Sequence, residues 1–81
     1  MASDDESIKK RIEKDIDLFY KSIEPIKSAP QDNKAITRII ELSEMYAKDS
    51  KSFLDKGDLY TSFASINYAH GLLDAVKEIV K

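Results

Sequence analysis

The chain contains no cysteine, and it has only two glycines and two prolines among its 81 residues. The absence of cysteine excludes disulfides, thiolate metal sites and cysteine nucleophiles. There is no glycine-rich loop to cradle a phosphate, no nucleophile elbow and no His-Glu-x-x-His zinc motif. The commonest catalytic and cofactor-binding motifs are therefore missing, and we expect no cofactor.

An excess of charge of either sign is also missing. Thirteen Lys and Arg residues nearly balance fifteen Asp and Glu residues, which leaves a formal net charge of −2. Because no basic field covers the domain, nucleic acid is disfavoured as a partner. Lys9, Lys10 and Arg11 leave RNA binding open only as a weaker alternative. Glu13 and Asp15 dilute these charges on the same helix.

Long hydrophobic runs are absent as well. No apolar segment is long enough to span a membrane, and the first residues lack the apolar segment of a secretory signal. We therefore expect a cytoplasmic protein that does not contact a membrane. With 42% hydrophobic residues, the composition is ordinary for a folded protein, and its length predicts one domain over residues 1–81.

What the chain does contain is helix-forming sequence. Apolar periodicity and abundant Ile, Leu, Lys and Glu predict three helices and no strand, at about residues 4–27, 32–56 and 58–80. We expect an all-α fold, a three-helix bundle that is mostly antiparallel, with the C-terminal helix central.

The first predicted helix has a narrow apolar stripe of the coiled-coil type. Its members recur at steps of four and three: Ile8, Ile12, Ile16, Phe19, Ile23 and Ile26. Leu18 lies off this stripe. Ser3 or Asp4 is expected to cap the N-terminus. Pro25 removes one backbone hydrogen bond, and the sequence leaves open whether it kinks or ends the helix.

The second predicted helix has a wider apolar face. Its members are Ile36, Ile39, Ile40, Tyr46, Ala47, Phe53 and Leu54. Ser43 and Ser50 lie within the face beside Ala47, and residues this small allow a neighbouring helix to approach closely.

Two connections join the predicted helices. Residues 28–31 form the first, and Asp32 is expected to cap the second helix. In the second connection, Gly57 can adopt the left-handed conformation that ends a helix, and Asp58 can cap the next. So short a junction predicts an antiparallel helical hairpin.

The third predicted helix contains the least charged part of the chain. From Leu59 to Leu73 there is no Asp, Glu, Lys or Arg, although 35% of the chain is charged. On a helical wheel, apolar residues occupy two sides, while Ala64, Gly71 and Ala75 form a smooth strip. We expect the other helices to surround most of this run, and any uncovered part of the strip to favour a partner.

Four residues of the remaining polar sector form the candidate site: Tyr60, Asn67, His70 and Asp74. His70 and Asp74 are spaced so that the carboxylate can orient the imidazole, as in acid–base sites and around metal-bound histidines. No second His and no Cys is available to complete a zinc site. The favoured interpretation is a structural hydrogen-bonded pair at a helix interface, and we assign no catalytic, cofactor-binding or metal-binding residue.

The second half of the chain resembles a known family. The resemblance rests on Tyr46-Ala47-Lys48-Asp49, then Phe53, then Gly57-Asp58, then Tyr68-Ala69-His70-Gly71-Leu72-Leu73-Asp74-Ala75. This pattern, which covers roughly 36–80, resembles an archaeal family of short helical proteins, domain of unknown function 357. The resemblance implies an archaeal source and a small all-α fold, and it implies no activity.

The sequence does not decide the function, but it favours one class. We expect a non-enzymatic helical module that interacts with a protein partner or with itself, because the third helix is coated with apolar and small residues. The alternative is a small-ligand or metal-binding protein, or an enzyme, that uses the polar cluster of the third helix.

Overall fold

Three helices form almost all of the described chain. The computed structural model describes residues 2–29 and 32–80, with side chains from residue 4 onward, and this part of the chain contains no strand. Helix α1 spans Ala2–Ser28, α2 spans Lys34–Asp55 and α3 spans Leu59–Val80. The expected all-α, three-helix fold is confirmed, and the bundle is elongated, extending 48 × 17 × 16 Å.

Helices α2 and α3 form an antiparallel hairpin with the most extensive contact in the bundle. Ser50 of α2 lies against Ser62 of α3. Tyr46, one turn earlier on α2, lies against Tyr68, with their ring centroids 4.5 Å apart. Helix α1 contacts α3 more than it contacts α2. Helix α3 therefore holds the central position that the sequence predicted.

Helix α1 runs parallel to α3 and therefore antiparallel to α2. Ile8, near the start of α1, lines a groove together with Phe63 of α3. Further along both helices, the carbonyl oxygen of Asp15 lies 2.9 Å from Nε2 of His70. Residue numbers thus rise in the same direction on α1 and α3.

The core lies along the axis of the bundle, and each helix contributes to it equally. Its buried members are Ile12, Ile16, Phe19 and Ile23 of α1, Ile36, Ile40, Ala47 and Leu54 of α2, and Ile66, Ala69, Leu73 and Val76 of α3. All of these residues belong to the faces that apolar periodicity predicted. Burial of such side chains is the main favourable term in the stability of the bundle.

The stripe of α1 is buried only from Ile12 onward. Ile8 is 45% exposed, so its predicted place in the core is wrong. At this end of the bundle the stripe faces only the first turns of α3, which leave one side of Ile8 open. Leu18, which lies off the stripe, is 44% exposed.

Small residues bring α2 and α3 into close contact, as the sequence predicted. Ser50 Oγ donates a hydrogen bond to the carbonyl oxygen of Ser62 at 2.7 Å. Ser62 Oγ donates to the carbonyl oxygen of Ser50, also at 2.7 Å. Both residues are fully buried. Each hydroxyl can reach the backbone of the facing helix only when the two helices lie close together. A larger side chain at either position would therefore separate them.

The turn between α2 and α3 has the predicted form. Gly57 has φ +82°, and its N–H donates to the carbonyl of Leu54, while Asp58 N–H donates to the carbonyl of Phe53. This is the Schellman arrangement, which ends a helix with a left-handed residue. Asp58 Oδ1 then accepts from Thr61 N at 3.1 Å, which caps α3.

The same cap makes the stability of α3 sensitive to acid. Hydrogen bonding with Thr61 lowers the pKa of Asp58 from its ordinary value of 3.8. A carboxyl whose folded-state pKa is depressed stabilises the fold above its ordinary pKa and loses that contribution as the pH falls through the folded value. The cap is therefore intact at neutral pH and is lost in acid.

The other predicted helix ends require correction. Asn33, not Asp32, caps α2, because its side chain accepts from the backbone N–H groups of Ala35 and Ile36. Helix α1 begins at Ala2, so Asp4 lies in its first turn instead of at the cap. The backbone of Ser3 also lies in the first turn of α1. The side chain of Ser3 lies outside the described residues. Residues 30–31 of the predicted first connection also lie outside them.

Pro25 does not end α1. The helix continues to Ser28, and Ala29 N–H donates to the carbonyl of Ile26 at 3.3 Å after it. The missing N–H of Pro25 leaves the carbonyl of Lys21 without a helical donor. This is tolerated because Lys21 is exposed and water can satisfy its carbonyl.

Enlarging Ser62 should separate α2 from α3. We expect Ser62→Leu to lower the free energy of unfolding by about 3 kcal/mol, because the leucine overpacks the contact between α2 and α3 at Ser50. Ser62→Ala removes only a hydroxyl and should cost about 1 kcal/mol. Ser52→Ala, on the exposed side of α2, is the control and should change stability by less than about 0.5 kcal/mol. Urea unfolding measures all three, and a Ser62→Leu variant as stable as the parent would contradict the close contact.

Candidate functional site

The four predicted site residues do not converge on one point. Tyr60, Asn67 and Asp74 are exposed, and they follow one another at steps of seven residues along α3. Each step corresponds to about 10.5 Å along the helix axis. Only His70 is turned toward another helix. This arrangement suits an extended contact along α3 better than a site around one small molecule.

His70 is half-buried between α1 and α3. Its Nε2 lies 2.9 Å from the carbonyl oxygen of Asp15, and because a carbonyl only accepts, Nε2 carries the proton. The ring also meets Phe19 edge-on, with centroids 5.7 Å apart and an interplanar angle of 86°. Within the described residues no hydrogen bond joins His70 to Asp74. His70 does lie at a helix interface, as predicted, but its hydrogen-bond partner is the Asp15 carbonyl and not Asp74. His70 lines neither of the two cavities described below.

One side of α3 faces away from α1 and α2, and we call it the outer face of α3. Tyr68, which packs on Tyr46, forms its edge toward α2. It consists of Tyr60, Phe63, Ala64, Asn67, Tyr68, Gly71, Asp74, Ala75 and Glu78, all of which are exposed. Most residues of the uncharged run from Leu59 to Leu73 are buried or half-buried, as expected, and its exposed members lie on this face. Two neighbours cover only part of a helix's circumference, so the whole small-residue strip stays at the surface.

The outer face changes character along its length. From Tyr60 to Gly71 it carries no charge and displays aromatic rings, with Tyr60 86%, Tyr68 55% and Phe63 38% exposed. Beyond Gly71 it becomes acidic through Asp74 and Glu78. Large exposed aromatics beside small residues are typical of surfaces that bind other proteins.

An apolar groove adjoins the uncharged end of this face. Its volume is about 560 Å³, and it is lined by Ser7, Ile8, Arg11, Leu59, Tyr60 and Phe63. Sequence reasoning missed the groove because Ile8 belongs to the apolar stripe of α1, all of which was expected to pack. No signal in the sequence distinguishes Ile8 from Ile12, since both occupy the same stripe of α1.

A smaller cavity of about 280 Å³ lies at the opposite end of the bundle, between α1 and α2. Beside it, Lys27 Nζ donates to Glu44 Oε2 at 2.9 Å, and this hydrogen bond raises the pKa of Lys27. Partial burial, followed by the negative charge of Glu44, raises the pKa of Tyr20. The ion pair joins the last turn of α1 to the middle of α2, and it stabilises the bundle modestly because Lys27 is exposed.

Metal-ligating groups are not clustered in the part of the chain that the structure describes. There, no three His, Asp or Glu side chains are grouped so that they could hold a metal ion. None of the helices in residues 2–29 and 32–80 has both the length and the apolar character needed to cross a membrane.

Comparison with known families gives one match. The model of the family described as Protein of unknown function (DUF357) matches residues 14–80, and the chain belongs to this family. The matched segment contains all of α2 and α3 and most of α1, whereas Ile8 and Arg11 of the groove precede it. No match is found among curated proteins.

Substitution of His70 separates a structural role from a chemical one. His70→Ala removes the donor to the Asp15 carbonyl and the contact with Phe19, so we expect the unfolding free energy to fall by about 2 kcal/mol. Asp74→Ala should change it by less than about 0.5 kcal/mol, because the carboxylate is exposed. Urea unfolding at low protein concentration provides the comparison. Equal losses of unfolding free energy in the two variants would indicate that His70 and Asp74 act as a pair.

Proposed function

We propose that this protein is a non-enzymatic helical interaction module that binds a protein partner through the outer face of α3. The observation that carries the proposal is the uncharged, aromatic stretch from Tyr60 to Gly71, which is exposed on a chain that is 35% charged. A surface with no partner would be expected to carry charged residues there, as the solvent side of α1 does.

The side chains of this face suit a helix or another flat surface. Tyr60 and Tyr68 supply large rigid contact area with a polar tip, and such residues are enriched where proteins bind one another. Ala64 and Gly71 are small, and together they allow the backbone of a partner to approach closely. The groove at Ile8 and Phe63 extends the apolar area onto α1.

The other functions considered have less support. A small-ligand site, metal site or enzyme centred on His70 would need a cavity there, and His70 instead packs against Phe19. Nucleic acid binding through Lys9, Lys10 and Arg11 is disfavoured by the net charge of −2. An archaeal source and a cytoplasmic location stay predictions of the sequence.

Site-specific crosslinking tests this function in the native host. A photoreactive benzoylphenylalanine in place of Ala64 or Ala75 should give the same crosslinked protein, because both positions lie on the outer face. The same residue in place of Ala35, which is exposed on α2, is the matched control and should not give that product. Mass spectrometry identifies the products. Identical products from all three positions, or none from Ala64 and Ala75, would contradict the proposal.

A further inference from the structure

We propose that the outer face of α3 binds a second copy of this chain, and that the two α3 helices pack antiparallel in a two-fold symmetric dimer. This inference rests on the proposed function, because it names the occupant of the same face. Three features support it: the order of charges along the face, their position on one flank, and a glycine with no role inside its own chain.

Charge along the face is complementary to that of a second, antiparallel copy. The uncharged half is flanked by Arg11, which lines the groove beside Tyr60 and Phe63. The other half carries Asp74 and Glu78. Within the described residues, neither Arg11 nor Asp74 takes part in an ion pair. An antiparallel dimer places the acidic half of each copy beside the uncharged, Arg11-flanked half of the other, whereas a parallel dimer would place the two acidic halves side by side.

The positions of these charges also agree with two-fold symmetry. Asp74 lies one turn after His70, whose ring contacts α1, so Asp74 is on the flank of the face nearest α1. Arg11 belongs to α1 and is on the same flank. In an antiparallel dimer the two-fold axis runs between the two helices, perpendicular to both. It therefore places equivalent flanks of the two copies on the same side. Arg11 of one copy and Asp74 of the second copy therefore meet on the same side, and the pairing occurs twice.

Gly71 is the strongest indication that something outside the chain approaches α3. A Cβ added at Gly71 would meet no atom within 4 Å, so the fold of the single chain does not require glycine there. In a helix interior, glycine is less favourable than alanine by about 1 kcal/mol. With the two-fold axis near Asn67, Gly71 lies against Ala64 of the second copy, where its missing side chain lets the backbones come close.

The size of the face predicts a weak dimer. The outer face runs about 27 Å along α3 and is about 10 Å wide, as a helix is. Such a contact buries less than about 1,200 Å² in total, which is the range of weak interfaces. We therefore expect a dissociation constant in the micromolar range, on the order of 10–100 µM.

Single cysteines test the geometry directly, because the chain has none of its own. Under mild oxidation of the purified protein, Asn67→Cys near the axis should form a disulfide-linked dimer. Ala75→Cys should not link to itself, since its equivalent is about 22 Å away along the helices in an antiparallel dimer. It should link to Tyr60→Cys when the two variants are mixed. Ala35→Cys on α2 is the control and should stay monomeric.

Two outcomes of this experiment would overturn the inference. If Asn67→Cys links no faster than Ala35→Cys, no second copy binds the face. If Ala75→Cys links to itself as fast as Asn67→Cys, the arrangement is not antiparallel. Neither outcome removes a crosslink between Ala64 and a different protein in the host, so failure of the dimer is distinguishable from failure of the proposed function.

Substitutions that preserve folding complete the test. Gly71→Ala should raise the unfolding midpoint of the monomer and weaken the dimer about tenfold in sedimentation equilibrium, because its methyl group separates the helices. Arg11→Asp and Asp74→Arg should each weaken the dimer by a similar factor, and the double swap should restore it within about threefold. A dimer of unchanged strength in Gly71→Ala, or a double swap no stronger than the single variants, would contradict the proposed pairing.

Discussion

The close contact between α2 and α3 is the constraint on which the rest of the bundle depends. The hydroxyls of Ser50 and Ser62 each reach the backbone of the opposite helix at 2.7 Å, so α2 fixes one side of α3 directly against it. Helix α1 then covers the adjacent side with its apolar stripe. Among residues 2–29 and 32–80, α1 and α2 are the other helices, and they leave the outer face of α3 exposed. The same contact that stabilises the hairpin therefore determines which side of α3 faces solvent.

The parts of the fold that depend on local sequence could be predicted well. Steps of four and three residues identified the buried stripe from Ile12 to Ile23, and Gly57 followed by Asp58 identified the turn. The error at the start of α2 has a local cause, since Asp32 and Asn33 are adjacent and chemically similar as caps. Periodicity failed where burial depends on how many neighbours are present. Ile8 occupies a position in the α1 stripe that a wheel cannot distinguish from the buried positions of Ile12 and Ile16.

The candidate site could be predicted as a set of residues but not as an arrangement. Tyr60, Asn67 and Asp74 lie on one face of α3, as their spacing requires. The partner of His70 is the backbone of Asp15, on a different helix, and local spacing contains no information about so distant a contact. These residues therefore form part of an extended surface along α3 and not a compact polar cluster. The uncharged half of that surface contains Ala64 and Gly71, which belong to the strip that the sequence left open to a partner.

The most direct test of the account is a dilution series followed by nuclear magnetic resonance of the backbone amides. If a second copy binds the outer face, amide shifts change along this face and at Ser7 and Arg11 between low micromolar and millimolar protein. The shifts of Lys48 and Lys51, on the exposed side of α2, should stay constant. Shifts that do not change on the outer face across this range, or that change mainly on α2, would contradict the claim that this face is where a second copy binds.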